Sequence, residues 1–409
     1  MRRFIPFLSL FLLCPVVAEE EPAEKVSRNA AVPLAFSTSS MGISLGAAAS
    51  LQGIGQPQAQ IVGIGAYSEN DSYVGFFGGY NYTLTPQSRL FFDAEIFLGQ
   101  FNEQTLYIDR KISGELPAGS HGSDQANVVH TEERHLELVG KARYILPMGA
   151  GAVLGPRQIE IRDGLPVSQR EYQMPPMPAL TTIGLESFYK KRTVDTLAQD
   201  FVSQGLSLHL DHDARNFLPS PTSGYRGTVK LHRDWGDSER AAYTKWELQY
   251  RHYFDLGASG WARQQALALT AYLSDLPSWS GGSNNPGEAP AWFVQSTLGG
   301  WDRMRGYSGA RFHDRSALFY GAEYRVVPTW QPQAGIPFIN RYNFPWYELA
   351  FFGGAGRVND ALDLGELHRD LNWSAGMGVR LWVENVLVRV DLAFSDEDSG
   401  FVVAVNQPF

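Results

Sequence analysis

The stretch Val386-Leu387-Val388-Arg389-Val390-Asp391-Leu392-Ala393-Phe394 decides the fold. A strand points successive side chains to opposite faces. Extended, this stretch therefore puts Val386, Val388, Val390, Leu392 and Phe394 on one side and Arg389 and Asp391 on the other. The same pattern recurs upstream. Leu318, Tyr320, Ala322, Tyr324 and Val326 oppose Glu323 and Arg325. Leu136, Leu138, Ala142 and Tyr144 oppose His135, Glu137, Lys141 and Arg143. Trp246, Leu248 and Tyr250 oppose Lys245, Glu247 and Gln249, and Leu206, Leu208 and Leu210 alternate with Ser207, His209 and Asp211.

Alternation by itself also suits a soluble sandwich with one solvated face. Three features favour a transmembrane antiparallel β-barrel. The segments run to about ten residues, the length a tilted strand needs to cross the hydrocarbon layer. Trp and Tyr stand near the ends of their apolar faces, where interfacial anchors belong. The chain closes on Val403-Ala404-Val405-Asn406-Gln407-Pro408-Phe409, and a terminal Phe409 resembles the C-terminal signal by which barrels are delivered to the outer-membrane assembly machinery. Candidate strands lie near 41–50, 58–67, 72–84, 89–101, 133–145, 147–161, 180–193, 203–215, 224–235, 243–255, 265–274, 317–328, 346–356, 371–383, 386–395 and 400–409. That is about sixteen, an even number as single-chain bacterial barrels require. Alternation is weak in 58–67, 147–161 and 180–193. The fold class expected is therefore all-β, with a long lumen-directed loop before the fifth-last strand.

The N-terminus reads as an export signal. Arg2 and Arg3 precede the apolar run Phe4 to Leu13, and Val16-Val17-Ala18 offers small residues for cleavage. Residues 1–18 are expected to be a signal peptide, 19–40 a periplasmic lead-in and 41–409 the barrel, located in a Gram-negative outer membrane. The single cysteine, Cys14, lies within that signal, so disulfides and thiol chemistry are not expected. Forty-one Gly, 24 Phe, 18 Tyr and 10 Trp suit strongly tilted strands with aromatic girdles. A net charge of −9 argues against nucleic acid as a partner.

The longest connection, 276–316, carries Leu298-Gly299-Gly300-Trp301-Asp302-Arg303-Met304-Arg305-Gly306-Tyr307, then Gly309, Arg311, Phe312 and Asp314. With the following strand, Tyr320-Gly321-Ala322-Glu323-Tyr324-Arg325, this resembles the signature of the bacterial surface antigen superfamily: the barrels of BamA/TamA-type assembly factors and two-partner-secretion transporters. Asp213-Ala214-Arg215-Asn216 with Pro219, Pro221 and Gly224 is similar to its strand-turn-strand motif, and Gly376-Met377-Gly378-Val379-Arg380 and Val388 to Ala393 to its penultimate strands. The resemblance covers residues 205 to 409 well and the first half loosely.

The resemblance implies a loop folded into the lumen and latched by Met304, Arg305, Gly306 and Tyr307. A guanidinium inside a barrel needs an acidic partner. Glu323 is the first candidate, since alternation places it in the lumen on the next strand. In the family a second acidic residue stands where this chain has Gly354, so Asp391 or Glu348 is expected to substitute. Family members that handle protein substrates also carry periplasmic POTRA modules, which residues 19–40 are too short to hold.

Other clusters read as ordinary lumen polarity. His209, Asp211 and Asp213 share one face but His212 points away, which splits a would-be metal set. Asp396-Glu397-Asp398-Ser399-Gly400 lacks the spaced ligands of a calcium loop, and Gly119-Ser120-His121-Gly122-Ser123 is not a nucleophile elbow. No metal, cofactor or enzymatic activity is expected. Two functions remain open: a barrel that moves or inserts macromolecules at the outer membrane, and a structural or diffusive barrel such as a pore, anchor or surface antigen. Expected partners are membrane lipid, the barrel-assembly machinery during biogenesis, and a separate periplasmic protein or secreted client.

Overall fold

The computed structural model describes residues 29–38, 40–108, 116–153, 161–162, 164–168, 177–282, 284, 289–337, 342–384, 386–405 and 407–408. Sixteen strands form one sheet in chain order, every neighbouring pair antiparallel: β1 (Asn29–Thr38), β2 (Gly42–Gln52), β3 (Gln60–Ser68), β4 (Tyr73–Tyr82), β5 (Leu90–Leu106), β6 (Val129–Ile145), β9 (Leu180–Val194), β10 (Gln199–Asp213), β11 (Gly224–Asp234), β12 (Ala242–Asp255), β13 (Ala262–Ser280), β16 (Ser316–Pro328), β17 (Trp346–Asn359), β18 (Asn372–Val383), β19 (Val386–Ser395) and β20 (Ser399–Val405). Two small ribbons stand apart from the wall: β7 (Ile161–Arg162) with β8 (Leu165–Pro166), and β14 (Ser296–Leu298) with β15 (Phe312–Asp314). The sheet curls until β1 and β20 touch. No ladder joins them among the described residues, so the barrel is nearly closed, with a seam at that edge.

The alternation sets the two surfaces. On β19, Leu387, Arg389, Asp391 and Ala393 are buried while Leu392 and Phe394 are exposed. On β10, Leu206, Leu208 and Leu210 face out, and Ser207, His209 and Asp213 are buried. Charge is thus inside and hydrocarbon outside, the reverse of a soluble core. Among the described residues no helix is long and apolar enough to cross a membrane.

Strand order makes the chain enter and leave at one mouth, which holds the start of β1 and the end of β20. There Leu165, Phe217, Val327, Trp346, Trp382 and Leu387 pack into an apolar cap, and Trp346 Nε1 donates to the Gly164 carbonyl at 2.7 Å. The opposite mouth receives the connections that follow β5 and β13.

The sheet has the expected sixteen strands, but one candidate segment is replaced by a strand outside the candidate set. Of residues 147–161, the described ones (147–153 and 161) add no strand to the wall: Gly149–Ala152 is a 3₁₀ turn whose Gly151 and Ala152 carbonyls accept from Arg89. Gly149, with a φ of 56°, serves the turn rather than a strand. The missing strand is β1, so the sheet begins at Asn29, inside the stretch read as a lead-in, rather than at residue 41. Its Pro33 lies opposite Ala47 of β2. An edge position tolerates a residue with no N–H to donate. Residues 58–67 and 180–193, weak in alternation, form β3 and β9. Residues 1–28 and Phe409 lie outside the described residues.

Candidate functional site in the lumen

The connection between β13 and β16 turns back into the barrel. Gly300 N donates to the Tyr307 carbonyl at 3.1 Å and Tyr307 N to the Met304 carbonyl at 2.9 Å, closing a compact loop. Met304 has a φ of 54°, a left-handed conformation costly for a side-chain-bearing residue. Burial compensates, because Met304 packs with Tyr272, Leu298, Tyr307, Phe312 and Phe319 in an apolar cluster. Gly306 lies against the wall: a Cβ there would fall 2.5 Å from the Phe394 carbonyl carbon. Ser395 Oγ donates to the Gly306 carbonyl at 3.1 Å.

Between these two contacts Arg305 reaches the wall. Its Nη2 donates to Glu323 Oε2 at 2.7 Å and its Nη1 to Asp391 Oδ2 at 2.9 Å. The guanidinium carbon stands 3.3 Å from the Phe352 ring centre, a cation–π geometry. Both carboxylates serve other arginines as well. Glu323 accepts from Arg325 Nε at 2.8 Å and Arg380 Nη2 at 3.4 Å. Asp391 accepts from Arg380 Nη1 at 2.5 Å and Arg389 Nη1 at 3.5 Å, and Arg389 Nη2 reaches Asp302 at 3.2 Å. The result is a buried lattice of four guanidiniums around two carboxylates, with Asp302 at its more exposed rim. Gly378 leaves the space Asp391 uses, since a Cβ there would come 2.1 Å from Asp391 Oδ1.

The second carboxylate thus comes from β19. At Gly354 a Cβ would already stand 2.6 Å from the Phe319 ring, which leaves no room for an aspartate. Glu348, the other expected substitute, accepts from Ser220 Oγ at 2.6 Å and Gln407 Nε2 at 2.9 Å, nearer the capped mouth. The sequence motif does not single out Arg325, Arg380 and Arg389, although each occupies the polar row of its strand. Their convergence follows from barrel closure, which strand patterns do not carry.

A second set of anchors ties the loop to the far hairpin. Tyr307 donates its hydroxyl to Asp396. Burial and then that carboxylate push the phenol pKa up, which keeps the donor proton in place. Arg311, fully buried, pairs with Glu397 through Nε and Nη2, both at 2.6 Å, and holds Ser123 of the 107–128 connection. Asp396 and Glu397, which a calcium reading would have used, are therefore loop anchors.

The turn after β10 is built separately. Asp213 pairs with Arg215 at 2.7 Å, and Asn216 Oδ1 accepts from Thr222 N at 3.0 Å and Ser223 N at 3.2 Å. Gly224, with a φ of 94°, opens β11. The set staples a hairpin at the capped mouth and does not touch the Arg305 lattice.

Fold and site together define the class: a sixteen-stranded barrel whose lumen holds its own loop on buried arginine–carboxylate contacts. Solved structures of this architecture include BamA from Haemophilus ducreyi lacking POTRA domains 1–3, at 12% identity and a TM-score of 0.50 over 92% of this chain and 69% of that one. They also include CdiB from Escherichia coli, at 13% identity and a TM-score of 0.53, with 92% of this chain and 61% of that one covered. CdiB from Acinetobacter baumannii aligns at 10% identity and a TM-score of 0.50, over 92% of this chain and 59% of that one. The chain thus spans about two thirds or less of these neighbours, and at such identities the likeness is one of fold. No family model and no curated protein sequence matches it.

Proposed function

We propose that the chain is an integral outer-membrane barrel of the translocator and assembly type, which handles macromolecules with its loop and its seam rather than passing solutes through an open pore. The observation that carries this is the loop around Arg305, held inside the lumen on Glu323 and Asp391. A lumen loop anchored by buried charge suits a gated barrel, whose loop must stay seated until it is released. The fold shared with BamA and CdiB supports the reading, and the weak edge between β1 and β20 offers a place for lateral opening. Partners on this reading are membrane lipid, the barrel-assembly machinery, and a periplasmic protein or secreted client.

Conductance in planar bilayers tests it. The unaltered barrel is expected to stay closed or flicker, and a steady pore of uniform size would favour the diffusive reading, which the charged wall of the lumen also suits. Cysteine pairs oxidised between residues 29–38 and 399–405 are expected to reproduce the phenotype of a deletion strain, with recovery on reduction. Normal behaviour with the seam locked would remove lateral opening from the mechanism.

Lipid contact is tested separately. Leu208 is 50% exposed on β10, so Leu208→Arg sets a charge in the outward belt. The expected cost is about 2–4 kcal/mol if that position lies near the bilayer midplane, read as a lower urea midpoint in phosphatidylcholine vesicles. An unchanged midpoint would count against a lipid-facing belt.

A further inference from the structure

Beyond the loop lattice the lumen holds an open cavity of about 500 Å³, within the roughly 300–1,000 Å³ of ordinary ligand pockets. Its wall is divided by chemistry. On the strands beside the seam, Phe36, Ile64, Val74, Phe76, Phe97 and Phe101 face it, and most of them belong to one apolar cluster. These strands are apolar on both surfaces, since Leu45, Tyr67 and Phe77 are exposed on the outside. A water-filled pore would not need hydrocarbon on its inner face.

The remaining wall is charged, with an excess of cations. Among the described residues lining it are seven Lys or Arg and four Asp or Glu. Each carboxylate already has a partner: Glu137 pairs with Lys190 and Arg192, Glu186 with Lys141, Glu247 with Lys245, and Asp302 with Arg389. Arg226 pairs with Asp211. Lys230, Arg251 and Arg303 are left without an ion pair among the described residues. Arg303 lies 3.9 Å from the Tyr272 ring centre, and Arg251 donates to Gln249 at 3.1 Å. Arg251 is only 8% exposed, and its Nε has no hydrogen-bond partner. Cations that outnumber the carboxylates around them in a lumen are costly to hold, and an anion entering the cavity would relieve that cost.

From this divided wall we infer that the lumen binds a single-chain anionic amphiphile, with its hydrocarbon along the phenylalanine wall and its head group among Lys230, Arg251 and Arg303. A fatty acid and a lysophospholipid with an acidic head share this chemistry. The inference does not depend on the translocator reading, because a plugged or an open barrel could hold the same ligand.

The test uses the full barrel in nanodiscs of phosphatidylcholine only, with dansylated undecanoate as the probe and competition by unlabelled chains. Saturable binding is expected at about one probe per barrel. Dodecanoate should displace the probe at least tenfold better than dodecyltrimethylammonium, and hexanoate should be far weaker, since each buried methylene is worth about fourfold. Lysophosphatidylglycerol set against dodecanoate distinguishes the two sources. Lys230→Met with Arg303→Met should weaken binding tenfold or more, with folding checked by heat-modifiable mobility. Should the double variant fail to fold, Phe76→Trp keeps the charges and should change probe affinity by narrowing the hydrocarbon wall. Equal competition by the cationic and anionic chains, or no saturable binding, would overturn the assignment. Binding unmoved by either variant would place the probe on the outer surface and overturn it equally.

Discussion

Replacing Glu323 with glutamine is expected to destabilise the barrel more than removing Arg305, although both break the same contact. Glu323 is wholly buried and accepts from three guanidiniums, of Arg305, Arg325 and Arg380. Four arginines in this lattice meet three carboxylates, of Glu323, Asp391 and Asp302. Arg305→Ala leaves three charges of each sign. Glu323→Gln keeps the shape but leaves four cations with two carboxylates, and Asp302 is the less buried of those two. Breaking a buried pair so that its partner stays charged costs about 3–5 kcal/mol. Glu323→Gln should reach that range and Arg305→Ala should fall below it. Urea unfolding followed by tryptophan fluorescence gives the comparison. If Glu323→Gln proves as stable as the unaltered protein, or loses less than Arg305→Ala, charge balance is not what holds the lattice.

Much of this was legible in the sequence, and for one reason. A wall strand in a barrel sees hydrocarbon on one side and the lumen on the other, so period-two alternation carries fold and facing together. That is why β10, β12, β16 and β19 could be placed and Glu323 and Asp391 assigned inward. The strand count agrees by compensation: the sequence pattern puts a wall strand at residues 147–161 and misses β1. Edge strand β1 has a ladder on one side only among the described residues, and its Ala and Pro residues look like a linker when no neighbour is in view. The site was legible only in its motif. Arg305 stands out between Met304 and Gly306, whereas Arg380 and Arg389 look like any lumen residue. The contact from Arg305 to Asp391 joins residues 86 positions apart in sequence, and only closure of the sheet reveals it. Gly354 shows the limit of motif reasoning, because its meaning depends on the ring of Phe319 beside it.

The loop itself is expected to come free only when two arginines are removed together. Arg305 fastens it to β16 and β19, and Arg311 fastens it to Glu397 on the last hairpin and to Ser123 on the neighbouring connection. These anchors lie on different structures, and the apolar cluster around Met304, Tyr307 and Phe312 lies between them. With one arginine gone, the other anchor and the cluster keep the segment seated. With both gone, the cluster must hold the loop alone, beside a Glu397 that has lost its arginine, while Glu323 and Asp391 keep only the wall arginines Arg325, Arg380 and Arg389. Residues that act on one segment couple by about 0.5–3 kcal/mol, so the double variant should lose more than the sum of the single losses. Trypsin reads this directly, because Arg303 lies within the seated loop. Cleavage there should be slow in the unaltered barrel and in Arg305→Ala or Arg311→Ala alone, and at least tenfold faster in the double variant, with the strands still folded by heat-modifiable mobility. A double variant as resistant as the unaltered barrel would mean that apolar packing alone seats the loop, and the arginines would then be spacers of the lumen rather than its latch.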